Sequence, residues 1–199
     1  MIDIQQLHEL HASTVARWHR EPVDAPYDGV WGVICTQHGF NFQLWHEEDI
    51  ARSPDVGDAR IAQVKRAIDR FNQQRNDWIE RVDDWITQEL ERRCIEATPG
   101  AKLATETPGS AIDRLSIMSL RLYHLEEQMD RPDATPEHRQ NVAHKIAVCR
   151  LQHADLSQSL SELLSDIEAG VKRHRTYRQF KMYNDPALNP YLYQRRQAG

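Results

Sequence analysis

Between residues 58 and 93 the chain places apolar side chains alternately three and four positions apart: Ile61, Val64, Ile68, Phe71, Trp78, Val82 and Trp85, with Arg75 interrupting the series. This is heptad spacing over about four repeats, and Ile79, Ile86 and Leu90 widen the apolar face. A period near 3.5 cannot alternate across a strand, so the segment must be a long helix that buries one side. A second seam runs through Val142, Ile146, Cys149, His153, Leu156, Leu160, Leu163 and Ile167. Two such helices need partners, and Trp and Phe at seam positions call for a globular core rather than a free coiled coil.

The remaining segments supply those partners. Asp3 can cap a first helix to about Arg20, with Ile4, Leu7, Leu10, His11, Val15 and Trp18 inward. Pro22 and Pro26 interrupt it, and a second helix is predicted from about Asp28 to Arg52, ended by Ser53-Pro54-Asp55-Val56-Gly57. Asp58 reads as the cap of the third helix, which should stop near Ala97 before Thr98-Pro99-Gly100. Ser110-Ala111-Ile112-Asp113 reads as a capping box opening a fourth helix to about Asp130. Thr135 with Pro136 opens the fifth. Gly170 either ends or kinks that helix, and the tail after Asn184-Asp185-Pro186 reads as irregular chain lying across the bundle. The expectation is an all-α, antiparallel helical bundle of about five helices, one domain over residues 1–199, with residues 170–199 as a basic extension packed on it.

Hydrophobic residues at 40% and charged residues at 28% describe an ordinary globular chain. No apolar run approaches the roughly 20 residues that span a bilayer. The start, Met-Ile-Asp-Ile-Gln-Gln, lacks the basic and apolar regions of a signal peptide. Cys35, Cys94 and Cys149 are odd in number and widely spaced, which fits buried free thiols in a reducing cytoplasm. The net charge of −5 hides a gradient, because residues 170–199 hold seven Lys and Arg against Asp185 alone. Such an end can meet phosphate, nucleic acid, an anionic surface or the acidic body of its own bundle. The acidic remainder argues against nucleic acid.

Polar chemistry concentrates in Asn41-Phe42-Gln43-Leu44-Trp45-His46-Glu47-Glu48-Asp49-Ile50-Ala51-Arg52. At 100° per residue His38, Asn41, Trp45, Asp49 and Arg52 share one stripe. Polar groups beside a large aromatic are costly to bury unless paired, so the stripe lines a cleft, a satisfied network or a metal site. His38 and Asp49 lie about 16 Å apart along a helix and cannot share an ion. His46 could share one with Asp49 or with a carboxylate from another helix, but the spacing is unspecific, and the sequence assigns no metal and no cofactor.

Asp113 and His124 repeat the eleven-residue spacing of His38 and Asp49. If the second and fourth helices run parallel, His38 faces Asp113 and Asp49 faces His124, as pairs that lock a core or tune a general base. Asp113 could instead merely favour its helix N-terminus. The face Asp69, Asn72, Asn76, Glu80 and Asp83 reads first as solvated, although two asparagines a turn apart hint at specific hydrogen bonds. Arg75 in a seam needs carboxylate partners. Glu-x-x-His, P-loop, Gly-x-Gly-x-x-Gly, Gly-x-Ser-x-Gly and His-Glu-x-x-His motifs are all absent. Glu80-x-x-Asp83 matches half of the carboxylate motif of all-α nucleotide pyrophosphohydrolases, but its Glu-x-x-Glu half is missing.

Asn41-x-x-Leu44-Trp45-His46-x-Glu48-Asp49-x-Ala51-Arg52, Asp69-x-x-Asn72-x-x-Arg75-Asn76-Asp77 and Glu106-Thr107-Pro108-Gly109-Ser110-x-Ile112-Asp113-Arg114-Leu115-Ser116-Ile117 form a specific set. Together with Lys181-Met182-Tyr183-Asn184-Asp185-Pro186 and Asn189-Pro190, over about residues 30 to 193, the chain resembles a bacterial domain-of-unknown-function family, number four-two-five-four. The resemblance carries no assigned activity. It implies a setting among genes for cell-envelope polysaccharide assembly, and recurrent polar residues at Asn41, His46, Glu48, Asp49, Arg52, Asp69, Asn72, Arg75, Asn76, Asp113 and Arg114.

The reading that follows is a protein that binds, and could act on, a phosphorylated sugar or another anionic small molecule. His38 or His46 would be the acid/base, Asp49 and Asp113 the orienting carboxylates, and Arg52 and Arg114 the anion clamps. Asn41, Trp45, Glu48, Asn72, Arg75, Asn76 and His124 complete the expected binding set. A non-catalytic interaction protein and a metal-dependent pyrophosphohydrolase are the competing classes, and exposed helix seams could equally pair two chains.

Overall fold

A computed structural model describes residues 1–197. Its elements, in chain order, are α1 (Ile4–Trp18), α2 (Gly29–Ala51), α3 (Asp58–Arg92), the two-residue strand β1 (Lys102–Leu103), α4 (Pro108–Asp130), α5 (Pro136–Glu168), the strand β2 (Lys172–Arg173), a 3-10 turn at Met182–Asn184, and α6 (Pro190–Gln197). The chain is an all-α helical bundle, and no helix among the described residues is long and apolar enough to cross a membrane.

Local chemistry accounts for the helix ends. Asp3 accepts the Gln6 N–H at 2.7 Å and caps α1. Thr107 and Thr135 cap α4 and α5, each followed by Pro at the first helical position. The expected capping box at Ser110 therefore gives way to Thr107, whose hydroxyl accepts the Ser110 N–H at 3.2 Å. The cap of α3 is Gly57, and Asp58 sits in its first turn, where the macrodipole favours a carboxylate. That helix ends at Arg92, short of Ala97, because Cys94 turns to a φ of 52°. Cys94 is exposed, unlike the buried Cys35 and Cys149. Gly170 ends α5 with a φ of 70°, in a turn where a Cβ would lie 2.7 Å from the Glu96 carbonyl oxygen.

Both sequence seams face the interior, and parts of each join the principal core. Leu7, Leu10, Val15 and Trp18 of α1 meet Ile34 and Phe42 of α2, Val82 and Ile86 of α3, Ile112, Leu115 and Leu120 of α4, and Leu160 and Leu164 of α5. Leu44, Val64 and Ile68 form a smaller cluster with Ile50 and Phe71 where α2 and α3 reach beyond that core.

Helix direction follows from the pairings. Phe40 packs on Phe71, and Leu44 on Val64 and Ile68, so α2 and α3 are antiparallel. Asp83 meets Gly109 while Arg75 meets Asp113, so α3 and α4 are antiparallel too. The strand before α4 pairs in parallel with the strand after α5, which brings the start of α4 to the end of α5. One neighbour departs from the alternation. His11 packs on His38 and His19 on His46, so α1 runs parallel to α2. Residues 19–28, kept out of helix by Pro22 and Pro26, carry the chain back, and Asp24 pins the return through Arg17 and Trp18 Nε1.

Beyond β2 the basic segment descends the polar face of α3. Arg178 pairs with Glu80 at 3.1 Å and with Asp84 at 2.8 Å, the Gln179 N–H donates to Glu80 at 2.7 Å, and Asn184 reaches Gln73 at 3.4 Å. Lys172 lies 3.5 Å from Asp166. This part of the basic end thus meets the acidic body of its own bundle; the side chains of Arg195 and Arg196 lie outside those described. The tail is less irregular than expected, since Pro190–Gln197 is helical. Asp83, expected on a solvated face, is buried instead: it accepts the Gly109 N–H at 2.8 Å at the N-terminus of α4, and burial raises its carboxyl pKa.

Candidate functional site

Asp113 sits one and a half turns into α4, 4% exposed, at the point where α3 leaves the principal core. Three donors converge on it. Arg75 of α3 donates from Nε to Oδ1 at 2.7 Å and from Nη2 to Oδ2, while Gln37 and Asn41 of α2 donate to Oδ1 at 2.6 and 2.9 Å. Hydrogen bonding to the carboxylate raises the Arg75 pKa above its ordinary value. Asn41 also donates to the Ser116 hydroxyl at 2.8 Å, and Ser116 meets His38 Nδ1 at 2.6 Å. Six side chains from α2, α3 and α4 are thereby locked into one network, the arrangement that holds side chains in single rotamers.

A cleft of about 390 Å3 opens on this network. Asn41, Leu44, Trp45, Glu48, Asp49 and Arg52 come from α2, Asn72 and Arg75 from α3, and Ile117 and Leu120 from α4. Leu44 belongs to the smaller apolar cluster and Leu120 to the principal core, so the cleft lies at their junction. Its size falls in the usual range of small-molecule sites. A wider depression of about 690 Å3 between α4 and α5 holds Glu106, Arg114, Arg121 and Asp155, but no buried polar network lines it. The Asp113 network backs the smaller cleft.

Residues 31–176 match a family described as a protein of unknown function, DUF4254. The chain belongs to this family. No curated protein and no solved structure matches it. The match covers the cleft and its network, and stops before the Lys181 to Pro190 motifs that the sequence resemblance included.

Within this DUF4254 domain the stripe Asn41, Trp45, Asp49 and Arg52 lines the cleft together with Glu48, Asn72 and Arg75. The other sequence-selected residues lie elsewhere. His38 is fully buried behind the network, with Nδ1 on Ser116 and Nε2 3.2 Å from the His11 carbonyl, and desolvation pushes its pKa down to about 3. The expected His38–Asp113 pair does not form, because Gln37 and Asn41, on either side of His38, take the carboxylate. Asp113 itself touches the cleft only through Arg75 and Asn41. Arg114 is exposed and pairs with Glu106 at 2.7 Å, and Asn76 does not line the cleft. Asp49 does not meet His124, whose ring stacks on Trp45 with centroids 4.9 Å apart and whose Nδ1 bonds Glu127 at 2.8 Å.

His46 does not line the cleft; it lies with His124 against His19 at the end of α1, and burial lowers its pKa. One ring nitrogen from each of these three histidines lies within 4.8 Å of the others. Sequence reasoning overlooked Gln37, Ser116 and His19. Gln37 and Ser116 are ordinary polar residues until the helix pairing is known, and His19 lay at the end of its helix, outside any apolar period. Glu80 and Asp83, the half-motif of pyrophosphohydrolases, already accept bonds from Arg178, Gln179 and Gly109.

Proposed function

We propose that the cleft between α2, α3 and α4 binds a phosphorylated sugar or a similarly hydroxylated anionic small molecule. The observation that carries this reading is the Asp113 hub, which holds Arg75 and Asn41 rigid at the cleft wall from behind. A carboxylate that satisfies three buried donors is a demanding way to pack two helices, whereas it preorganises a binding wall before any ligand arrives. Among the described residues Arg75 Nη1 has no hydrogen-bond partner, which leaves a donor of fixed orientation for phosphate. Arg52, paired with Glu48 at the exposed rim, adds a second guanidinium. Amides of Asn41 and Asn72 and the carboxylates of Glu48 and Asp49 suit hydroxyl groups, and Trp45 offers an apolar ring to a sugar face. Asp49 is the carboxylate in the cleft best able to serve as a base, should a reaction occur there.

Thermal stability and calorimetric titration against sugar phosphates, nucleotide sugars and the matching unphosphorylated sugars test this. A phosphorylated ligand at a hundred times its Kd should stabilise the wild type by about 2.7 kcal/mol. Trp45→Ala and Arg52→Ala should each weaken it about tenfold or more, and the free sugar should bind less tightly than its phosphate. If no phosphorylated compound shifts the wild type, or both variants bind as it does, the reading fails.

A further inference from the structure

We propose that His19, His46 and His124 form a three-histidine site for a divalent transition-metal ion, with Zn2+ the best fit. The site is distinct from the cleft, although Trp45 touches both, and the inference stands whether or not the cleft binds a sugar phosphate.

Three independent features converge. One ring nitrogen from each histidine lies within 4.8 Å of the other two, although the residues come from the end of α1, from α2 and from α4. The Nε2 atom of every one of the three is buried and has no hydrogen-bond partner among the described residues. The opposite nitrogens of two rings are already committed to acceptors: His19 Nδ1 lies 2.7 Å from the Val15 carbonyl oxygen, and His124 Nδ1 lies 2.8 Å from a Glu127 carboxylate oxygen. An atom facing only an acceptor must carry a proton, so in the neutral form both rings are Nδ1–H tautomers whose Nε2 lone pairs can coordinate. Histidine ligands of metal ions are oriented in this manner, with the far N–H on a carbonyl or a carboxylate.

Without a cation, buried ring nitrogens left without partners are an arrangement that a fold should avoid, because nothing repays their desolvation. The rings are held close by other packing: His19 stacks on Tyr123 with centroids 4.3 Å apart, His124 stacks on Trp45, and His46 packs edge-on against Phe42. Around an ion bound at about 2.0–2.1 Å, tetrahedral nitrogens stand about 3.3 Å apart, a contraction that side-chain rotation can supply. Three neutral imidazoles with one open position suit Zn2+, and Asp49 and Glu127, whose charges act on His46, offset the charge of the ion.

The full-length protein, stripped with a chelator and dialysed, is titrated with Zn2+ and with Co2+. One equivalent of each should bind, and Co2+ should develop the visible d–d absorption of a tetrahedral complex. His46→Ala and His124→Gln should weaken binding about a hundredfold or more. Glu127→Gln, which keeps all three ligands, should weaken it about ten- to a hundredfold. His144→Gln, at an exposed position on α5, should bind as the wild type does. A wild type that takes up neither ion at one-to-one stoichiometry overturns the proposal, even if every variant misfolds. So does a folded His46→Ala or His124→Gln protein that binds as tightly as the wild type, or a Co2+ spectrum unchanged by Glu127→Gln alongside unchanged affinity.

Discussion

Arg75 and Asp113, 38 positions apart in sequence, form a two-pronged ion pair that joins α3 to α4 where the principal core ends. Arg75 occupies a seam position that an apolar residue would ordinarily fill, and the carboxylate is what allows it there. Asp113→Asn keeps the shape but removes the charge and, with its oxygen in the Oδ1 position, turns an N–H2 toward Arg75 Nη2. The variant should lose about 3–5 kcal/mol of stability, measured as the shift in urea midpoint at an unchanged m-value. A loss below about 1 kcal/mol would mean that the network relaxes onto water and does not hold Arg75.

His38 should make the fold acid-sensitive well above the carboxylate range. Its ring titrates near 6.5 in an unfolded chain and near 3 in the fold, so below pH 6.5 the unfolded chain binds the proton more readily. Its contribution is whole above pH 6.5 and drains as pH falls toward 3, at about 1.4 kcal/mol per pH unit. His11, equally buried beside it, is lowered by the same desolvation and acts in the same direction. Urea unfolding at pH 7, 6, 5 and 4 should therefore give a steep fall that His38→Gln makes shallower by about 1.4 kcal/mol per pH unit. A variant slope equal to that of the wild type would show that His38 titrates normally.

Gly109 permits the contact between α3 and α4. A Cβ there would lie 2.7 Å from the Ile79 carbonyl oxygen and 2.9 Å from Asp83 Cγ, both held in place. Gly109→Ala should destabilise the protein by about 1–3 kcal/mol in thermal or chemical unfolding, because the helices must part to admit one methyl. A neutral or stabilising result would show that Asp83 can move aside.

Arg178 ties the segment after β2 to α3 through Glu80 and Asp84. These are exposed ion pairs, so their loss should free the strap without unfolding the bundle. Arg178→Glu should speed chymotryptic cleavage after Tyr177 and Phe180 several-fold while the melting temperature stays near that of the wild type. Equal cleavage rates would mean that the strap is held by its other contacts, such as Asn184 on Gln73 and the Gln179 N–H on Glu80.

Periodicity made the architecture legible. The seams at 61–85 and 142–167 are the buried faces of α3 and α5, and the Thr-Pro pair at 135 opens α5. These signals are local, since a helix reports its buried side every three or four residues. The same repetition made the stripe of Asn41, Trp45, Asp49 and Arg52 readable as one face, and that face lines the cleft. The Thr107 cap was missed because Ser110 and Asp113 imitate a cap three residues later, and Asp113 has its partners on other helices.

One helix can state which of its sides is buried, but not which residue of a second helix stands opposite. A shift of one turn moved His38 from Asp113 to Ser116 and handed the carboxylate to its neighbours Gln37 and Asn41. The return of residues 19–28, which sets α1 parallel to α2, brought His19 to His46 and His124. Register and direction are decided by the whole core, where many side chains settle together, and no single segment carries that information.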